Sequence, residues 1–133
     1  MTPDNDRDKA VHYDDPSRDG SIGETLLRLQ EVIALRRDDL ALHASIGANS
    51  YVAKMLTAGP IRCAKKLGEE AVEAALAGAC GSVSELTSEA ADLVFHLLLL
   101  LASRGVTLDA LASELRAREG VSGIEEKRLR SAD

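Results

Sequence analysis

Two pairs of carboxylates stand at helical spacing in the middle of this 133-residue chain. Glu70 and Glu73 form an E-x-x-E pair, and Glu89 and Asp92 form an E-x-x-D pair. At about 100° per residue, a spacing of three puts both members of each pair on one helix face. Oxygen ligands of this charge favour a hard cation, Mg²⁺ or Mn²⁺, over zinc. The pattern therefore predicts a divalent metal site, with these four residues as metal ligands and catalytic groups.

The second pair lies on a stretch that is otherwise apolar. From Ala90 to Ala102, Asp92 and His96 are the only ionisable residues. A buried carboxylate is costly unless it is paired or bound to a metal. This thin ionisable stripe therefore indicates that something neutralises it. His96, one turn beyond Asp92, is interpreted first as a hydrogen-bonded core histidine, with a ligand role as the alternative.

The first pair is ambiguous when taken alone. Lys66 and Glu70 have the spacing of an i,i+4 ion pair, so this face would also fit a solvated helix surface. Glu69 lies on the same arc and is a further possible ligand. Consecutive helices with a short turn usually pack antiparallel, which would bring the two carboxylate pairs together. A ferritin-like di-iron site would need E-x-x-H pairs, and the chain contains none.

Helix signals surround these residues. Ser21 and Ser82 each begin an S-x-x-E capping box, and Thr107 can cap a later helix. Gly59-Pro60 ends one helix and starts the next. The first apolar stripe begins after Ser21 and fades after Arg37. Four or five helices, with no strand-like alternation, predict an all-α helix bundle.

Composition divides the chain into one domain with two tails. Residues 1–20 read as a disordered acidic tail, residues 21–118 as the helical domain, and residues 119–133 as a charged C-terminal tail. Apolar residues make up 45% of the chain and aromatic residues 2%. The core must therefore be built from Leu, Ala, Val and Ile.

Charge and hydropathy exclude several classes of protein. The net charge of −6 gives no basic surface for nucleic acid. Residues 1–20 lack a secretory signal, and the apolar run from Leu93 to Ala102 is about half a membrane span. Cys63 and Cys80 show no metal-ligand spacing or disulfide framework, and are expected to be buried and reduced. We therefore expect a soluble, cytoplasmic protein.

The carboxylate pattern resembles that of the MazG-like all-α nucleotide pyrophosphatases. Within that group, three segments are similar to the phosphoribosyl-ATP pyrophosphatases of histidine biosynthesis. These segments are NSYVAKMLTAGP (49–60), KKLGEEAVE (65–73) and SEAADLVFHLLLLLASRGVTLDALASELRAR (88–118). The resemblance implies hydrolysis of phosphoribosyl-ATP to phosphoribosyl-AMP and pyrophosphate with Mg²⁺. It also implies a homodimer that completes the bundle, with metal-binding carboxylates at Glu70, Glu73, Glu89 and Asp92.

Such a substrate carries a triphosphate and a phosphate monoester, so cations must supplement the metal. The candidates, which precede the carboxylates, are Lys54, Arg62, Lys65 and Lys66. For Arg62 and Lys65, a solvated surface role is the alternative. Ser50 and Tyr51 are expected either to cap a helix or to touch ribose or base.

The chain shows no nucleophile motif and no P-loop, so the hypothesis is attack by a metal-bound water aligned by a carboxylate. A general nucleoside triphosphate pyrophosphatase would use the same carboxylates and differ only in substrate. A helical interaction module without catalysis is the alternative of another class. It would not require a thin ionisable stripe on a buried helix.

Overall fold

The computed structural model of the chain describes residues 20–42, 50–120 and 123–132. Across these ranges the chain forms six α-helices and no strand. They are α1 (Ile22–Leu42), α2 (Tyr51–Ala58), α3 (Pro60–Cys80), α4 (Val83–Ser103), α5 (Leu108–Arg118) and α6 (Gly123–Arg130). The predicted all-α architecture is confirmed.

The predicted helix starts are built as the sequence indicates. At the start of α4, the Ser82 N–H donates to the Glu85 carboxylate at 2.6 Å, and the Glu85 N–H donates to the Ser82 hydroxyl at 3.1 Å. Ser21 and Glu24 make the same reciprocal pair before α1, at 3.0 and 3.3 Å. The Thr107 hydroxyl caps α5. Each cap satisfies backbone donors that a helix end leaves without an intrahelical acceptor.

A single residue separates α2 from α3. Gly59 has φ of 89°, a backbone conformation that side chains with a Cβ rarely adopt. Its N–H donates to the carbonyls of Met55 and Leu56, both at 3.2 Å, and closes α2. Pro60 then occupies the first turn of α3, where its missing N–H costs nothing.

The α3–α4 hairpin is the centre of the molecule. Its two helices have 21 residues each, are joined by Gly81-Ser82, and make the most extensive contact of any helix pair in the described ranges. Helices α1 and α2 pack against α4, and α2 also packs against α1 and α3. The core side chains come from all four helices: Ile33, Val52, Met55, Cys63, Phe95, Leu98 and Leu99. The hairpin therefore carries the predicted carboxylates and supplies part of the core.

One helical segment was left open by the sequence, as either more helix or loop, and another was not predicted. Helix α1 continues beyond Arg37 to Leu42, and α6 forms over Gly123–Arg130, within the stretch read as a charged tail. Both are polar segments without a sustained apolar stripe, so the periodicity that indicates a helix is missing. Good helix formers such as Leu, Arg and Glu favour helix there through backbone propensity. Of the predicted tail 1–20, residues 1–19 lie outside the described residues.

The two cysteines differ in their surroundings. Cys63 is fully buried in the core, as predicted, and burial raises the pKa of its thiol. Cys80 is exposed, so the prediction that it is buried is wrong. It is the last residue of α3, where the helix reaches the hairpin turn. Both thiols are free, which agrees with the absence of a disulfide framework.

Helix α4 is also long and apolar enough, by length and composition, to cross a membrane. One such helix is weak support for a membrane protein, because the core helix of a soluble protein has the same character. Helix α4 supplies Phe95, Leu98 and Leu99 to the core. Even so, only 17% of its most apolar stretch is buried within one chain.

Candidate metal centre

Glu70 is the most deeply placed acid of the site. Its side chain is 1% exposed on α3, next to the core. Lys66, one turn earlier, lies 3.0 Å from Glu70 Oε1 and 3.7 Å from Glu69 Oε2. The predicted i,i+4 pair is therefore present, and it supplies part of the countercharge that a buried carboxylate requires. Glu69 itself is largely exposed.

Three of the four predicted carboxylates meet across the hairpin. Glu70, Glu73 and Glu89 each contribute one carboxylate oxygen to a cluster, and these three oxygens lie within 4.8 Å of one another. Glu70 and Glu73 come from α3, and Glu89 comes from α4. The antiparallel packing of the two helices thus produces the juxtaposition that the sequence predicted.

Asp92 is the predicted carboxylate that this cluster does not include. It lies half-buried on α4, one turn after Glu89. An aspartate side chain is one methylene shorter than a glutamate, so it reaches less far from its helix. The contact described for Asp92 is through its backbone carbonyl, which accepts from His96 Nδ1 at 2.8 Å.

The cluster has more negative charge than its neighbours neutralise. Burial raises the pKa of Glu73, and the charge of Glu70, a hydrogen bond to Glu70 and the charge of Glu89 raise it further, against an opposing effect of Lys66. Glu89 Oε2 is buried and has no hydrogen-bond partner among the residues that the structure describes. A buried carboxylate oxygen without a donor is costly. This donor set therefore fits a hard divalent cation, which prefers carboxylate oxygen ligands.

His96 lies next to the cluster, on its buried side. Its side chain is fully buried, and its Nδ1 is 4.0 Å from Glu70 Oε1. The Tyr51 hydroxyl lies 2.8 Å from its Nε2. The interpretation of His96 as a hydrogen-bonded core histidine is confirmed. Its partner Tyr51 was not foreseen, because a contact across 45 residues leaves no periodic signal.

Residues predicted to bind substrate fall into two groups. Ser50 caps α2, its hydroxyl accepting from the Ala53 N–H at 3.0 Å, and the Tyr51 hydroxyl contacts His96. Both therefore have structural partners, although either can still touch a ligand. The candidate cations outside the cluster are exposed: Lys54 on α2, and Arg62 and Lys65 on α3.

Comparison with known proteins gives a consistent result. Residues 40–119 match the family model described as Phosphoribosyl-ATP pyrophosphohydrolase. The chain is 47% identical over 105 residues to the phosphoribosyl-ATP pyrophosphatase of Dinoroseobacter shibae, covering 79% of this chain and 97% of the relative. It is 50% identical over 111 residues to the enzyme of that name from Sphingopyxis alaskensis, covering 84% and 97%. The match to the Methylobacterium radiotolerans protein of the same name is 54% over 83 residues, covering 62% and 78%.

Proposed function

The chain belongs to the phosphoribosyl-ATP pyrophosphohydrolase family, and on that premise we propose how its carboxylates serve the reaction. The protein hydrolyses phosphoribosyl-ATP to phosphoribosyl-AMP and pyrophosphate in histidine biosynthesis. The single observation that supports a metal-dependent mechanism is the cluster of Glu70, Glu73 and Glu89 oxygens within 4.8 Å. Like charges at this separation are unfavourable without a counterion.

Mg²⁺, with Mn²⁺ as a substitute, is the ion we propose for this site. Glu70, Glu73 and Glu89 would hold it, with Asp92 and Glu69 as candidates for further ligation when substrate is present. When bound, such an ion neutralises phosphate oxygens and lowers the pKa of water in its coordination sphere. Carboxylate ligands, rather than cysteine or histidine, are consistent with a hard ion of this kind.

The chain's own side chains divide the remaining work. Lys66 neutralises Glu70 from within α3, so we assign it to holding the site rather than to a free phosphate-binding role. Lys54, Arg62 and Lys65 are exposed, which suits charge-assisted contacts to the substrate's phosphates. A carboxylate beside the cluster, Asp92 or Glu69, would orient the attacking water and accept its proton when it does not ligate the ion.

A homodimer in the cytoplasm is the assembly we propose. Support comes from apolar surface that one chain leaves uncovered, including Ile61, Val72 and Leu76 on α3 and Val94 on α4. Contiguous exposed apolar surface is typical of an interface. A second chain packed on the hairpin would complete the helix bundle and would cover the part of α4 that a single chain leaves open.

The proposed mechanism is tested by removing one charge at a time from the cluster. Glu89→Gln removes a charge whose buried Oε2 has no hydrogen-bond partner among the described residues, and Asp92→Asn tests the fourth predicted ligand. A bound ion stabilises the transition state by several kcal/mol, and each 1.36 kcal/mol corresponds to a tenfold change in rate. We therefore expect Glu89→Gln to lower the rate of pyrophosphate release by at least about a hundredfold. Glu114→Gln, which changes an exposed glutamate on α5, is the matched control and should keep full activity.

The assay uses phosphoribosyl-ATP with and without Mg²⁺, beside a panel of ordinary nucleoside triphosphates. We expect phosphoribosyl-ATP to be the only substrate of the panel that releases pyrophosphate, and we expect this release to require Mg²⁺. Normal activity of the Glu89→Gln protein would reject the metal site. Equal turnover of the whole panel would instead indicate a general nucleoside triphosphate pyrophosphatase.

A further inference from the structure

An aromatic cluster adjoins the carboxylates in a chain that has few aromatic residues. The sequence contains two Tyr, one Phe and no Trp. Tyr51 and Phe95 stack with ring centroids 6.2 Å apart. Both meet the His96 ring edge-on, at 5.8 and 5.3 Å. Tyr51 and Phe95, two of the three Tyr and Phe residues in the sequence, thus lie around one buried histidine.

The hydrogen bonds of His96 fix its tautomer. A backbone carbonyl can only accept, so Nδ1, 2.8 Å from the Asp92 carbonyl oxygen, carries a hydrogen. In the neutral ring Nε2 is then an acceptor, and the Tyr51 hydroxyl donates to it across 2.8 Å. Both ring nitrogens are satisfied inside the core, so the ring has a single orientation.

This histidine connects three helices at the level of the site. Tyr51 is on α2, His96 and Asp92 are on α4, and Glu70 on α3 lies 4.0 Å from Nδ1. The ring and the Glu70 carboxylate are both buried and are neighbours at this distance. Its bond to the Asp92 carbonyl also ties the ring to the turn of α4 that follows Glu89.

We propose that His96 and Tyr51 are positioning residues of the carboxylate site, acting through Glu70 and the Asp92 turn rather than on the substrate. This inference rests on the proposed function, since it concerns the ion that the cluster would hold. Outer partners of metal ligands commonly set ligand orientation, and their loss costs about 10–100-fold in metal affinity. A histidine with a merely structural role would support the fold but leave metal affinity unchanged.

Two substitutions break the same hydrogen bond from opposite ends. Tyr51→Phe removes only the hydroxyl. His96→Asn keeps a side-chain amide near the position of Nδ1 and removes the acceptor at Nε2. The control is Cys63→Ala, since Cys63 is fully buried in the same core and is not part of the carboxylate cluster.

The measurement is the dissociation constant of Mn²⁺, by titration calorimetry on the full-length protein, below the lowest melting temperature of the set. We expect about tenfold weaker Mn²⁺ binding for Tyr51→Phe and for His96→Asn. Because both remove one shared bond, the double variant should bind no worse than the weaker single variant, within about twofold. Cys63→Ala should melt earlier and bind Mn²⁺ as the wild type does.

The outcomes separate this inference from the proposed function. If both variants bind Mn²⁺ as tightly as the wild type and melt earlier, as Cys63→Ala does, the positioning role is wrong. The proposed metal site would be unaffected by that result. Losses that add in the double variant would overturn the shared-bond explanation. A wild-type protein that does not bind Mn²⁺ would remove the proposed metal site and this inference together.

Discussion

At the scale of the residue, the site is a balance of charges around Glu73. This carboxylate is exposed in the single chain, whereas Glu70 is buried beside Lys66. Although most of the Glu73 side chain is exposed, desolvation of its covered part raises its pKa, and so do the charges of Glu70 and Glu89. The group therefore holds a proton at a pH where an isolated glutamate has lost it.

This shift makes the stability of the metal-free protein fall as the pH rises. A carboxyl group with a raised pKa in the folded state contributes stability that is fully present below its unfolded value of 4.5 and is lost as the pH rises through the folded pKa. Chemical denaturation of metal-free protein from pH 4.5 to 8 should show this loss in the wild type and a smaller one in Glu73→Gln. Glu69→Gln, a neighbour outside the cluster, should keep the wild-type slope. If the free energy of unfolding of Glu73→Gln falls with pH as steeply as that of the wild type, the loss does not come from Glu73.

The residues of the site were predictable in part. Helical spacing placed Glu70 and Glu73 on one face and Glu89 on the facing helix, and the structure brings these three together. Spacing could not rank them by burial, because the depth of a side chain depends on which helices cover it. It also could not show that the Asp92 carboxylate would fall outside the cluster, since that depends on side-chain length and direction.

At the scale of the element, α4 depends on its capping box. The Ser82 and Glu85 side chains satisfy two backbone donors at the helix start. Hydrogen bonds from the Ser82 backbone and side chain lower the pKa of Glu85. The helix that supplies Glu89 to the site is thus held at its first turn by two exposed residues.

Replacing Ser82 tests how much this start contributes. Ser82→Ala should lower the free energy of unfolding by about 1 kcal/mol, the usual cost of losing an N-cap, without changing the residues of the site. Equilibrium denaturation at neutral pH measures it. The lowered pKa of Glu85 adds a pH signature, because its contribution is present above the unfolded value of 4.5 and is lost as the pH falls through the folded pKa. Glu85→Gln should lose that acid dependence, and no change in either variant would contradict the role of the box.

The elements were the most predictable part of the fold where a cap or an apolar stripe was present. The starts of α1, α4 and α5 follow from Ser21, Ser82 and Thr107. The corner between α2 and α3 follows from Gly59-Pro60. Helix α6 could not be predicted in this way, because it carries a charged sequence with no apolar face to mark it.

At the scale of the whole molecule, one chain leaves its central hairpin partly uncovered. Val94 on α4 is 37% exposed, although it lies within the longest apolar run of the sequence. In the proposed homodimer, the second chain would cover this surface. Val106, which follows the C-terminal end of α4, is 41% exposed and is a matched residue outside the exposed face of the hairpin.

A lysine at each of these valines distinguishes an interface from ordinary surface. Val94→Lys would bury an unpaired charge in the dimer, so we expect the dimer dissociation constant to rise by at least about tenfold, whereas Val106→Lys should leave it unchanged. Light scattering across a concentration series gives both values. Dimers of equal strength in the two variants would place the interface elsewhere, and a monomeric wild type would reject the assembly.

The short connection between α3 and α4 has a consequence for the order of folding. A hairpin of adjacent helices joined by Gly81-Ser82 is rich in local contacts, which favour fast formation. When the two helices dock, Glu70, Glu73 and Glu89 are brought together. Their mutual repulsion should therefore slow the formation of the hairpin. A divalent ion would neutralise this repulsion, so refolding measured by stopped flow should be faster with Mg²⁺ than without it. Glu89→Gln should then refold at one rate in both conditions, so the ion proposed for catalysis would also act as a folding partner of the newly made chain.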